Sequence, residues 1–334
     1  MNKFNLAIRD SLSLLSENKE WVCRYAGYAK ETIANIDVIR NKKKIFHQWA
    51  PLYLYMNVTK AKSPAPTFSL RYLGQDVALI NVSEKDVKLK DAKCEDGDNC
   101  EKLTRKNERD FGCSIDFHDK KWTSVEAKKF RKYFSSNPAR RSENNKGNEE
   151  HRVESMLLTE FSKSQGKFKN VKLHNIQPIK IAGVARFQMP TPFRASGSNV
   201  KYVKKGGGID ILARIGRGRG TTLCIMEVKD EYIMREPPEK AIMQGLYYAT
   251  FIRELLRSKC GNDWWNIFGF GGTVRKRLTI YVCCVMPFNI VGANDTNFSR
   301  SRLSIGNDTI ELHYIYFSEN GKVNNIETSL EDRN

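Results

Sequence analysis

Two apolar runs, each carrying a carboxylate and joined by a short turn of glycine and arginine, constrain this chain more than any other feature of its sequence. The first contains Gly208-Ile209-Asp210-Ile211-Leu212 and runs from Gly208 to Ile215; the second runs from Thr221 to Val228 and leads into Lys229. Between them lies Gly216-Arg217-Gly218-Arg219-Gly220, which has little side-chain bulk. Sixteen residues separate Asp210 from Glu227, enough to finish one strand, turn and return, so an antiparallel hairpin brings the two carboxylates together. A carboxylate within an apolar strand is costly to bury as an ion unless it is paired or bound to a metal. Glu227 and Lys229 have one residue between them and therefore project from the same face of their strand.

Two carboxylates held side by side resist joint ionisation. A divalent cation removes that penalty, and hard oxygen donors suit Mg²⁺ or Mn²⁺. An ammonium group beside such an ion, here Lys229, would orient an attacking water or stabilise charge developing on a phosphate. The plainer alternative is a salt bridge on an edge strand, since Glu-x-Lys by itself is common.

The surrounding order of elements supports a sheet. Glu149 to Phe161 has Val153, Leu157, Leu158 and Phe161 at helical spacing. Ile179 to Phe187 reads as a strand. Pro237 and Pro238 open a second helix that continues through Ala241, Leu246, Phe251 and Leu255. Leu278 to Val285 is a continuous apolar run of the kind buried on both faces of a sheet. Ile310 to Phe317 adds a further strand. Earlier in the chain, Leu12 to Ile39 is helical. Pro51 and Ser63-Pro64-Ala65-Pro66 break that region, and Phe68–Leu73 with Val77–Val82 forms a hairpin about Gly74-Gln75-Asp76. A polar loop from Asp91 to Asp98 and a helix from Ser124 to Tyr133 follow. Ser135 to Asn148 reads as an exposed linker. The expected division is an α+β accessory domain over 1–140, for recognition or regulation, and a second domain over 149–334.

Gly208-Ile209-Asp210-Ile211-Leu212 followed by Ile225-Met226-Glu227-Val228-Lys229 resembles the signature of the PD-(D/E)XK nuclease superfamily, which includes restriction-endonuclease-like and RecB-like enzymes. The element order from Glu149 to Met286 is similar to that superfamily's core. The resemblance implies an α/β fold with a restriction-endonuclease-like mixed sheet flanked by helices. It also implies Asp210 and Glu227 as metal ligands and Lys229 as the catalytic lysine. An acidic residue on the first core helix is a further ligand in many members; Glu154 fits that place, with Glu160 as the alternative. Gln244 and Tyr248 resemble the Gln-x-x-x-Tyr pattern of RecB-like nucleases, which borders the active site. Asp210 follows Ile209, where the signature has proline.

The chain carries 56 Lys and Arg against 38 Asp and Glu, a formal charge of +18, and such a field attracts polyanions. Arg214, Arg217 and Arg219 on or beside the turn, Lys201, Lys204 and Lys205 before Asp210, and Arg275, Lys276 and Arg277 before the apolar run are the expected nucleic-acid contacts. DNA is the expected substrate, with RNA or a non-catalytic nucleic-acid-binding or scaffolding role as alternatives. The superfamily together with an accessory domain points to restriction or antiviral defence, with a second copy or a defence-complex component as a further partner. No segment has the apolar length of a bilayer span, and the first ten residues lack the pattern of a signal peptide, so a cytoplasmic location is expected. Cys283, Cys284 and Cys224 lie in apolar runs and read as reduced core thiols. Cys94, Cys100, Cys113 and His118 lack the paired-doublet spacing of a zinc site.

Overall fold

The structure is a computed structural model that describes the chain apart from residues 1–2, 43, 46–51, 61–65, 73, 91–118, 137–148, 165–166, 169–170, 173–174, 230–236, 289–295, 320–322 and 331–334. The acidic loop, the Cys94, Cys100, Cys113 and His118 group, and most of the expected linker lie outside the described residues.

The described elements begin with helices α1 (Lys3–Glu17) and α2 (Glu20–Asn41). Strands β1 (Leu52–Met56), β2 (Thr67–Tyr72), β3 (Gln75–Val82), β4 (Val87–Leu89) and β5 (Lys120–Lys121) follow, then helices α3 (Val125–Ser136) and α4 (Glu149–Ser164). The short strands β6 (Lys167–Phe168), β7 (Val171–Lys172), β8 (Ile176–Pro178), β9 (Lys180–Ile181) and β10 (Ala185–Phe187) come next. After them are β11 (Phe193–Ser196), β12 (Asn199–Tyr202), β13 (Ile211–Ile215) and β14 (Thr222–Val228). Helices α5 (Pro238–Arg257) and α6 (Gly261–Ile267) lead to β15 (Thr279–Pro287), β16 (Arg302–Ile305), β17 (Asp308–Glu319) and β18 (Val323–Thr328).

The chain forms two compact units of mixed α/β architecture. One comprises residues 1–29, 153–179 and 188–334; the other comprises 30–152 and 180–187. This division departs from the linear expectation over residues 1–29, 149–152 and 180–187. The first 29 residues join the C-terminal unit because Trp21 and Tyr25 of α2 pack on Phe251 of α5, with ring centroids 5.6 and 4.8 Å apart. The stretch read as one strand from Ile179 to Phe187 is instead broken at Ala182 and Gly183, both with positive φ, into β9 and β10. Those two strands belong to the other unit's sheet.

That sheet has the order β5-β4-β3-β2-β1-β10-β9, antiparallel throughout except for the parallel pair β1–β10. The C-terminal unit holds a second seven-stranded sheet, β16-β17-β15-β14-β13-β8, with β18 also paired to β17. Its hairpin β13–β14 is antiparallel, and β14–β15 and β15–β17 are parallel. Every residue of β14 is buried, as its apolar sequence demands of a central strand. Helix α5 crosses between the parallel strands β14 and β15 and lies close on the latter. A Cβ at Gly245 would come within 2.6 Å of Val282 Cγ1, so only glycine permits this approach. Among the described residues, no helix is long and apolar enough to cross a membrane.

Candidate active site

The β13–β14 register pairs Ile211 with Met226 and ends there. Asp210 immediately precedes β13 and Glu227 follows Met226 in β14, so the two carboxylates flank the last ladder pair. The Asp210 carboxylate continues the ladder in place of main chain: its Oδ2 accepts the Val228 N–H at 2.9 Å. Glu227 and Lys229 project from the face that α5 covers, since Glu227 shares that face with Ile225, whose β15 partner Val282 touches Gly245.

Glu227 is 1% exposed and the Lys229 side chain 6%, a burial that costs several kcal/mol per ion unless the charges are paired. They are paired: Lys229 Nζ donates to Glu227 Oε1 at 3.0 Å. The same ammonium lies 3.5 Å from Gln244 Oε1, and Gln244 Nε2 donates to the Tyr248 hydroxyl at 3.4 Å. Gln244 and Tyr248 are one helical turn apart on α5, so one helix face supplies both. Burial, and after it the Glu227 carboxylate, holds the Tyr248 phenol well above its ordinary pKa. Tyr248 therefore remains protonated across the physiological range and serves as a hydrogen-bonding group, not a base.

Asp210 is delivered by a backbone arrangement that the sequence pattern does not announce. Residues 206–209 pair with 189–193: Gly207 N–H donates to Phe193 O at 2.8 Å, Thr191 N–H to Gly207 O at 2.8 Å, and Ile209 N–H to Met189 O at 2.9 Å. The Thr191 hydroxyl adds a bond to Gly207 O at 3.0 Å. A Cβ on Gly206 would stand 2.3 Å from Phe193 O, and one on Gly207 would stand 2.9 Å from the Tyr248 hydroxyl. Three consecutive glycines were the visible signal of this close approach; Thr191 carried none.

Glu154 lies on α4 in the same compact unit, 3% exposed, on the helix face of the buried Leu157, Leu158 and Phe161. Glu160 on the same helix is half-buried. Among the described residues no three His, Cys, Asp or Glu side chains stand close enough to hold one metal ion.

The expected nucleic-acid contacts divide. Lys204 and Lys205 are exposed and precede Gly206 and Gly207, at the Asp210 end of the hairpin. Arg217 and Arg219 are exposed at the opposite end. Arg214 is partly buried and engaged internally: its guanidinium donates to Gly269 O and, at 2.9 Å, to Gln177 Oε1. Tyr248 is 2% exposed, so its polar contacts are with the cluster. Trp264 and Trp265 are buried, with Trp264 Nε1 donating to Tyr25 O at 3.1 Å. No family model, curated protein or solved structure matches this chain.

Proposed function

We propose that the chain is a metal-dependent nuclease with a restriction-endonuclease-like core, acting on DNA. Asp210 and Glu227 are its ion-binding carboxylates and Lys229 its cation. The observation that supports the reading is that the Asp210 carboxylate accepts the Val228 N–H at 2.9 Å, next to Glu227 on β14, with the Lys229 ammonium 3.0 Å from Glu227. Two carboxylates fit the donor set of Mg²⁺ or Mn²⁺, which keeps several waters and completes its shell with substrate phosphate. When bound, such an ion would supply Lewis acidity at the scissile phosphate. Gln244 Oε1, 3.5 Å from the Lys229 ammonium, is a second acceptor that helps to fix the cation's position before substrate arrives. Lys204 and Lys205, at this end of the hairpin, would position the phosphate backbone.

The pairing of Glu227 with Lys229 also favours a second reading, a nucleic-acid-binding protein without turnover, because the two charges already neutralise each other. The test is incubation of the purified chain with DNA and with RNA in Mg²⁺ or Mn²⁺. Cleavage by the wild type, and none by Asp210→Asn, Glu227→Gln or Lys229→Met proteins of unchanged circular dichroism, is the expected result. A melting measurement reads the ion separately. At 100 times its Kd, Mg²⁺ is expected to stabilise the wild type by about 2.7 kcal/mol, but not an Asp210→Asn/Glu227→Gln protein. Binding without cleavage or metal stabilisation establishes the second reading.

A further inference from the structure

The end of the hairpin remote from Asp210 and Glu227 has its own architecture. The turn 216–220 and the loop 271–278 that precedes β15 lie together there, because β14 and β15 run parallel with Leu223 opposite Ile280. Arg275 ties one loop to the other, its guanidinium donating to Arg219 O at 2.9 Å. Arg257 holds the second loop, donating to Arg275 O at 2.8 Å and Lys276 O at 3.2 Å. Arg257 is itself anchored at 2.8 Å to Asp308, which is 3% exposed. These guanidiniums fix the main chain of both loops, while Arg217, Arg219, Lys276 and Arg277 are exposed. Among the described residues, none of those four side chains is in an ion pair with a carboxylate.

We infer that this outer end of the hairpin is a second polyanion-binding surface, which takes the phosphate backbone of a nucleic acid through Arg217, Arg219, Lys276 and Arg277. Four basic side chains on a pinned main chain form a pre-set field, with Asp263 of α6 as the exposed carboxylate of the neighbouring helix. The residues between them are small. Gly216, Gly218, Gly220, Gly271 and Gly272 let a phosphate come close to the backbone and offer no large apolar group to enter a bilayer or to anchor a protein interface. Trp265 is buried and stacked on Phe270 with centroids 3.9 Å apart, so it presents no platform for a base. Recognition here is therefore of backbone charge and independent of base sequence. Six residue steps lead from Thr221 to Glu227, about 20 Å at the usual rise, so no single phosphate reaches both places. The inference takes only the class of ligand from the proposed nuclease reading.

Fluorescence polarisation of a labelled 30-base-pair duplex, titrated with the full chain without divalent ion at several salt concentrations, tests it. Arg217→Gln/Arg219→Gln and Lys276→Gln/Arg277→Gln are each expected to weaken binding at least tenfold at low salt. Each should flatten the slope of log affinity against log salt by about 1.8, at about 0.9 per lost phosphate contact. Melting curves show whether each double variant is folded, and either pair alone suffices for the test. Binding by both folded variants within twofold of wild type overturns the inference, as does failure of the wild type to bind duplex, or its preference for polyglutamate. A parallel incubation of the same proteins with duplex in Mg²⁺ separates the two readings. A wild type that binds through the four basic residues but never cuts sinks the nuclease and leaves this surface standing; one that cuts, with the basic variants binding normally, does the reverse.

Discussion

Lys229 and Glu227 illustrate how a single residue's environment sets its energetic weight. Both are buried and they form an ion pair, so deleting one strips the other of that partner inside the unit. Lys229→Met should destabilise the protein by about 3–5 kcal/mol in urea unfolding, the range for breaking a buried pair. Glu227→Gln/Lys229→Met, which removes both charges, should be more stable than the Lys229→Met single variant. Equal stability of the two would mean that water already screens the site. These two residues and Asp210 were legible in the sequence because a charge inside an apolar strand is anomalous by itself. Arg214 was not. Its sequence context shows a cation beside a glycine-rich turn, but only the fold reveals that Gly269 O and Gln177 receive its protons.

At the scale of elements, the hairpin β13–β14 and helix α5 were legible from periodicity and proline placement. The sheet membership of residues 180–187 was not: apolar alternation announces a strand but never its partner. The segment that positions Asp210 was hidden for a related reason. Residues 189–193 hold 206–209 through main-chain bonds and the Thr191 hydroxyl, and main-chain pairing leaves no mark on side-chain pattern except the need for glycine. Gly206→Ala tests this element. Its Cβ would meet backbone oxygens of Phe193 and Thr191 at 2.3 and 2.4 Å, and backbone cannot yield as a side chain can. A loss of about 3 kcal/mol, at the upper end for overpacking, is expected by chemical denaturation. Cleavage, where present in the wild type, should fall further than the folded fraction does, because Asp210 moves with the strand. An alanine protein as stable as wild type would show that the two segments separate easily.

Across the molecule, Asp308 joins elements far apart in sequence: it accepts from Arg253 at 2.9 Å, Arg257 at 2.8 Å and the Leu278 N–H at 2.9 Å, linking α5 to the starts of β15 and β17. Burial alone would raise its pKa; the bonds from Arg257, Leu278 and Arg253 outweigh burial and hold the carboxyl below its ordinary value. A lowered folded-state pKa contributes stability that is complete at neutral pH, above the unfolded value of about 3.9, and is lost as pH falls through the folded value. Asp308→Asn should therefore cost about 3 kcal/mol at pH 7 and progressively less below pH 4, measured by urea unfolding at both. A pH-independent difference would show that the asparagine loses packing and not charge.

The two compact units interleave along the chain, and this shapes how the protein is made. Strand β1 must wait for β10, whose Arg186 bonds to Tyr55 across 131 positions, and the amino-terminal Tyr25 carbonyl waits for Trp264, 239 positions later. A ribosome therefore releases neither unit finished before most of the message has been read. Helices α1 and α2 emerge with their aromatic faces uncovered, and contacts of such long separation close slowly. Premature termination before Phe187 leaves both units incomplete, and termination between there and Trp264 still leaves the aromatic faces of α1 and α2 without their partners, so a truncated product should be a target for chaperones and proteases.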